Sequence, residues 1–129
     1  MRNIKFRAWD KGDKSMKPIL SINFENKEVI HNELHTYDGE GDETDWSTFK
    51  DIELMQYIGL KDKNNVEIYE GDIVNFRTND YRHLISEIKW GNCIYLIKSD
   101  YGVWEGLWEQ DASQIEVIGN IYKNPEMLK

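Results

Sequence analysis

Cysteine is nearly absent from this sequence, since Cys93 is the only one and no disulfide can form within the chain. A single thiol is typical of proteins in a reducing compartment. The sequence also lacks an apolar run of about 18 residues, which excludes a transmembrane helix of ordinary length. No apolar signal segment follows Met1, so we expect neither secretion nor membrane association, and we expect a cytoplasmic location.

Basic residues are scarce as well. The chain carries 16 Lys and Arg against 24 Asp and Glu, a formal net charge of -8. Residues 28–49 and 100–121 contain no Lys or Arg, and the only basic cluster is the small set Arg2, Lys5 and Arg7. Because such a surface repels a phosphate backbone, binding of nucleic acid is disfavoured.

Short alternating segments separated by turn residues make up most of the chain. In residues 3–9, Ile4, Phe6 and Ala8 fall on one face and Trp9 on the other, which is the period of a β-strand. Similar segments occupy residues 19–24, 52–58, 83–90, 93–99 and 115–122. The polar stretch 38–48 is interpreted as an exposed loop.

This pattern predicts a mainly β fold with few short helical turns. We expect residues 1–129 to form a single domain with two sub-domains. An N-terminal β region, residues 1–50, packs on a small, partly open SH3-like barrel formed by residues 51–129.

Glycine positions indicate two tight turns. Gly71, within Glu70-Gly71-Asp72, is predicted to take a positive φ, and Asp72 to bond nearby backbone. Gly91-Asn92 lies between two apolar segments and suits a type II′ hairpin. Pro125 is expected to stop the last strand.

Three blocks of sequence carry a resemblance to a known family. The blocks are residues 5–10 (KFRAWD), residues 54–74 (LMQYIGLKDKNNVEIYEGDIV) and residues 117–126 (VIGNIYKNPE). In this order they resemble the YopX family, which implies a phage or prophage protein of uncharacterised function in the cytoplasm of a bacterial host. The resemblance implies no activity, cofactor or catalytic residue. Asn64-Asn65 departs from the Asn-Gly that family members often have, but Asn tolerates a positive φ and the turn should survive.

Two clusters have metal-ligating residue types. His31, Glu33 and His35 are spaced so that a regular strand would place all three on one face, where they offer ligands for zinc or iron. A solvated strand face is the commoner role of such a pattern, and no metal is expected. The acidic residues of the polar stretch do not match a calcium loop and suit a solvated surface; they are Asp38, Glu40, Asp42, Glu43 and Asp45.

Aromatic and acidic residues are interleaved near the C-terminus, at Tyr101, Trp104, Glu105, Trp108 and Glu109. If the rings are exposed, they suit a partner surface or a cationic ligand. Core packing is the commoner role of large rings in a small β protein, so both interpretations stay open.

Catalytic signatures are absent from the sequence. Glu70 and Asp72 are better explained by turn chemistry than as an acid–base pair, and Cys93 lacks a Cys-His motif and suits a packed thiol. No phosphate loop, dinucleotide fingerprint or hydrolase motif occurs, so no cofactor is expected.

The sequence therefore favours a non-catalytic protein-binding or regulatory module, with an unknown host or phage protein as partner. An acidic decoy of a host nucleic-acid-binding protein is a second hypothesis, supported by the net charge. An enzyme of unknown class is a third. Self-association through strand edges is also open.

Overall fold

The computed structural model describes residues 2–35, 42–78, 82–91, 94–99 and 102–129. Its contacts divide the chain into two compact units. The N-terminal unit is Lys5–Met55, and the C-terminal unit is Gln56–Lys129 together with the residues up to Ile4.

Strands dominate both units, so the mainly β prediction is confirmed, whereas the SH3-like barrel stays a prediction. The described strands are β1 (Phe6–Asp10), β2 (Ser15–Pro18), β3 (Ser21–Asn23), β4 (Glu28–His35), β5 (Asp42–Thr48), β6 (Ile52–Lys61), β7 (Glu67–Tyr69), β8 (Asp72–Arg77), β9 (His83–Glu87), β10 (Lys89–Gly91), β11 (Ile94–Lys98), β12 (Trp104–Gly106) and β13 (Ile115–Asn120). The described helical segments are short 3₁₀ turns, η1 (Phe49–Asp51), η2 (Glu109–Gln114) and η3 (Pro125–Leu128).

The N-terminal unit places β1 between β2 and β6, and it pairs β3, β4 and β5 in a second sheet. Its buried core consists of Ala8, Val29 and Ile52. Trp9 is only 9% exposed although its neighbour Ala8 is also buried. Trp9 lies on the opposite face of β1 from Ala8, as the alternation predicts, so both faces of this strand are covered at that point.

Two expectations for this unit are corrected. Residues 19–24 were expected to form one alternating strand, yet β3 spans only Ser21–Asn23, and Phe24 is 71% exposed. The stretch 38–48 was expected to be a loop, but Asp42–Thr48 forms β5 and pairs with β4. Cross-strand pairing overrides the polar composition here.

The turn between β1 and β2 is held by the side chain of Asp10. The N–H groups of Gly12 and Asp13 donate to Asp10 Oδ1 at 2.8 and 2.9 Å. These bonds stabilise the charged form of the Asp10 carboxyl and lower its pKa below the ordinary value of 3.8. The bond from the Asp13 N–H has the largest effect on this pKa.

The C-terminal unit contains a sheet in the order β13-β8-β9 and a sheet in the order β10-β11-β12, and β7 pairs with β6. Their inner faces enclose one apolar core. The buried members of this core are Ile68, Val74, Ile88, Ile97, Leu107 and Ile115.

The predicted strand 83–90 is divided at Ile88. β9 pairs with β8, whereas β10 pairs with β11. The N–H of Ile88 donates to the Asp72 carbonyl, and its own carbonyl accepts from Gly71, both at 2.8 Å. Gly91 pairs with Ile94 and so belongs to β10. The prediction that Gly91 is a turn residue was therefore wrong, and Asn92 and Cys93 lie outside the described residues.

Asp62 joins the turn between β6 and β7 to β13. Its Oδ1 accepts from the N–H groups of Asn64 and Val66 at 2.8 and 2.9 Å, and its Oδ2 accepts from Val117 N–H at 2.9 Å. Asn65 takes a φ of 66°, so the turn forms as predicted although Asn occupies the position where family members often have Gly. The carboxylate is 6% exposed and serves as a structural acceptor.

The Glu70-Gly71-Asp72 turn is formed as predicted. Gly71 has a φ of 83°. Asp72, which is 1% exposed, accepts from Tyr69 N–H at 2.8 Å, and Glu70 Oε1 accepts from Gln56 N–H at 2.7 Å. Both carboxylates bind backbone donors, which supports turn chemistry over an acid–base pair.

The last strand ends earlier than predicted. Asn120 Oδ1 accepts from the N–H groups of Tyr122 and Lys123 at 3.1 and 2.9 Å. This side chain turns the backbone out of the sheet. Pro125 does not stop the strand but begins η3.

We predict that Asp62→Ala lowers the free energy of unfolding by about 2–4 kcal/mol, because it removes a charged acceptor from several backbone donors. Urea denaturation followed by tryptophan fluorescence measures this change. Asp51→Ala is the control, since that carboxylate accepts from Thr48 at an exposed position and its loss should cost about 0.5 kcal/mol or less. Equal costs for the two variants would contradict the role given to Asp62.

We also predict a pH dependence for Asp10→Ala. Because the folded pKa is lowered, the Asp10 carboxylate contributes stability above its ordinary value of 3.8, and this contribution is lost as pH falls through the folded pKa. The group is exposed, so the expected cost at neutral pH is under about 1 kcal/mol. Urea midpoints of both proteins should converge on acidification. A difference between the two urea midpoints that grows on acidification would contradict this prediction. Asp10→Asn is the control, because its side chain keeps a neutral acceptor.

Candidate partner-binding surface

The sheet formed by β10, β11 and β12 brings lysine and tryptophan to one face. Lys89 lies opposite Leu96, which lies opposite Gly106, and Lys98 lies opposite Trp104. Directly opposed residues of antiparallel strands share a face, and alternate residues return to it. Lys89, Lys98, Trp104 and Gly106 therefore share one face.

Two lysine amines lie over the ring of Trp104. Lys89 Nζ is 5.2 Å and Lys98 Nζ is 5.9 Å from the ring centroid. At these distances a cation is attracted to the face of an indole. The two amines would repel a cationic ligand, so this ring favours a partner that brings negative charge.

Trp108 lies beside Gly106 and is 60% exposed. A Cβ atom at Gly106 would lie 2.8 Å from Ile94 Cδ1 and 3.8 Å from Trp108 Nε1. The missing side chain of Gly106 therefore leaves room for both groups. We call Lys89, Ile94, Lys98, Trp104 and Trp108 the Trp104 surface.

Of the two interpretations left open for these rings, core packing does not hold for Trp108, and Trp104 is half-buried. Glu105 is exposed and lies opposite Ile97 on β11, so it faces away from Trp104. Glu109 is exposed at the start of η2. Tyr101 lies outside the described residues.

Lys89 and Lys98 were not found by sequence reasoning. Lys89 lies on β10 and Lys98 on β11, and only the strand register brings both to the ring of Trp104 on β12. Trp90 was also missed. It is exposed on the opposite face of β10, with its ring centroid 4.8 Å from that of Tyr95. Burial is the main cause that raises the pKa of the Tyr95 hydroxyl, and the negative charge of Glu70 raises this pKa further.

The residues of the metal hypothesis lie on β4. His31 is buried, and its Nε2 is 3.0 Å from Ser47 Oγ. The pairing of β4 with β5 shifts between Ile30 and Asn32, so a bulge interrupts the alternation on which a shared face depends. The side chains of Glu33 and His35 lie outside the described part of the structure, as do Asp38 and Glu40 of the acidic stretch.

Among the residues that the structure describes, no three His, Cys, Asp or Glu side chains are grouped to hold a metal ion. No helix of the described chain is long and apolar enough to cross a membrane.

These elements define a mainly β protein of two units. The sequence profile of the YopX protein family matches residues 5–129, and the chain belongs to this family. The crystal structure of protein EF1440 from Enterococcus faecalis is similar, with a TM-score of 0.65, 28% sequence identity and coverage of 100% of both chains. The X-ray structure of protein yopX from Bacillus subtilis has the same fold, with a TM-score of 0.61 and 20% identity over 100% of this chain and 98% of that one. No curated protein matches the sequence.

We predict that Trp108→Ala changes the free energy of unfolding by about 0.5 kcal/mol or less, because the ring is largely solvated. Leu107→Ala, at the neighbouring buried position, should cost about 2–5 kcal/mol. Urea denaturation measures both. A large loss for Trp108→Ala would show that the ring supports the fold and would disqualify it as a probe of binding.

Proposed function

We propose that this protein is a non-catalytic binding module that holds another protein through the Trp104 surface. The observation that carries the proposal is the 60% exposure of Trp108 beside a Trp104 ring covered by two lysine amines. Tryptophan supplies a large contact area and is enriched among residues that dominate binding energy. Its exposure gives the fold no benefit, which favours a role in contact.

The chemistry of this surface defines the partner. An apolar centre of Ile94 and Trp108 is bordered by the amines of Lys89 and Lys98. A protein surface with apolar side chains bordered by carboxylates would match it. The net charge of -8 repels an acidic partner at long range, so recognition depends on the contact itself and association is slow.

The YopX family suggests a phage or prophage origin, and the partner would then be a host or phage protein in the bacterial cytoplasm.

The acidic-decoy hypothesis predicts a different kind of partner. It requires a basic partner that meets exposed acids such as Glu105 and Glu109, in a stretch without Lys or Arg. Its binding would fall steeply with salt, since it depends on charge between solvated groups.

The test is affinity capture from host lysate at low and moderate salt, with the wild type, Trp108→Ala and Trp46→Ala. Trp46 is the matched control, because it is 56% exposed and lies in the N-terminal unit. We expect capture of a specific protein to survive moderate salt and to fall about tenfold or more with Trp108→Ala, a typical loss for an interface tryptophan. Trp46→Ala should bind like the wild type.

Three results would contradict the proposal. Equal capture by Trp108→Ala and wild type would exclude the Trp104 surface. Capture that vanishes at moderate salt and does not depend on Trp108 would favour the acidic decoy. A change of oligomeric state in Trp108→Ala, measured by light scattering, would assign the surface to self-association.

A further inference from the structure

A cleft lies on the outer face of the β13-β8-β9 sheet. Asn75 of β8 is opposite Glu116 of β13, and Arg77 of β8 is opposite His83 of β9. The neighbouring positions, Val74 and Ile115, are buried in the core. The polar residues therefore point away from the core.

Two segments close this face into a concave site. The turn after β6 contributes Lys63, whose N–H donates to the Ile115 carbonyl at 2.9 Å. The end of η2 contributes Ser113 and Gln114, directly before β13. The resulting cavity has a volume of about 140 Å³ and is lined by Lys63, Asn75, Arg77, His83, Ser113, Gln114 and Glu116.

Hydrogen-bond donors predominate in this lining. Lys63 and Arg77 bring two positive charges against the one negative charge of Glu116, in a chain whose net charge is -8. Lys63 Nζ is 3.2 Å from Glu116 Oε2, with the two side chains 50% and 39% exposed. Solvated pairs of this kind are weak, so the amine can turn toward a bound anion at little cost.

The imidazole of His83 is oriented by Asn75, because His83 Nδ1 lies 3.2 Å from Asn75 Oδ1. With Nδ1–H donating to this oxygen, Nε2 of the imidazolium is a second donor that can meet an oxyanion, whereas Nε2 of the neutral ring is an acceptor. A guanidinium, an ammonium, a hydroxyl and amide groups then surround one small space. Such a set matches the oxygens of a phosphate or carboxylate group.

We propose that this cleft binds a small oxyanion, a phosphate or carboxylate group. Its volume is below the range of about 300–1,000 Å³ that holds a drug-sized molecule, so it takes a small ion or the anionic end of a longer ligand. A wider depression shares Lys63 and Ser113 with the cleft, which leaves room for the rest of such a ligand.

The test is a titration of the ¹⁵N-labelled full chain with inorganic phosphate and, separately, with acetate, at constant ionic strength made up with chloride. We expect saturable chemical-shift changes centred on Asn75, Arg77 and His83. Arg77→Gln should weaken binding about tenfold or more, the usual loss for a charged hydrogen-bonding group. Arg82→Gln is the matched control, because it removes the same charge outside the cavity lining and should bind within about twofold of wild type.

Saturation by phosphate but not by acetate would identify a phosphate-bearing ligand. Saturation by acetate at the same concentrations as phosphate would show that a carboxylate also serves as the ligand. Either result supports the proposal. No saturable change with either anion would overturn it. Equal weakening by Arg77→Gln and Arg82→Gln would also overturn it, because only bulk charge would then act. His83→Gln gives a second probe should Arg77→Gln unfold. Trp108→Ala should bind the anion normally, so this result is independent of the Trp104 surface.

Discussion

The hydrogen bonds that the Asp62 carboxylate accepts are the interactions on which the C-terminal unit most depends. Strand ends and tight turns leave backbone N–H groups without ladder partners, and burying such groups unpaired is costly. Asp62 accepts from Asn64 and Val66 in its own turn and from Val117, 55 residues further along the chain. One charged acceptor thus shapes a turn and fixes the position of a distant strand.

The Glu70-Gly71-Asp72 turn extends the same principle. Its carboxylates accept from Gln56 and Tyr69, and the backbone of Gly71 bonds to Ile88 and Ile121. The block by which the sequence resembles its family is therefore largely explained by folding. Shared sequence in such a block indicates a shared turn and strand arrangement. Function has to be sought on surfaces that the fold leaves solvated.

Local chemistry was predictable from the sequence, and long-range placement was not. The turn at Gly71 and the positive φ of Asn65 follow from the residue types themselves. The burial of both Ala8 and Trp9 depends on packing over the two faces of β1, and the division at Ile88 depends on bonds to Gly71 and Asp72. The candidate surface shows the same limit: Trp104 and Trp108 were recognised, but the lysines over Trp104 are placed by strand register, which no local pattern specifies.

The net charge of the chain is a poor guide to what it binds. A charge of -8 excludes phosphate backbones only if positive groups are dispersed, yet the fold gathers Lys89 and Lys98 at one ring and Lys63 and Arg77 at one cleft. Fields from the remaining acids act over about 8–10 Å at physiological salt and mainly slow the approach of anions. Contacts over a few Å decide the affinity for a ligand. At the Trp104 ring and at the cleft the charges within that distance are mainly positive. An acidic protein with the two proposed cationic sites would be selective for ligands that fit those sites and would repel extended polyanions.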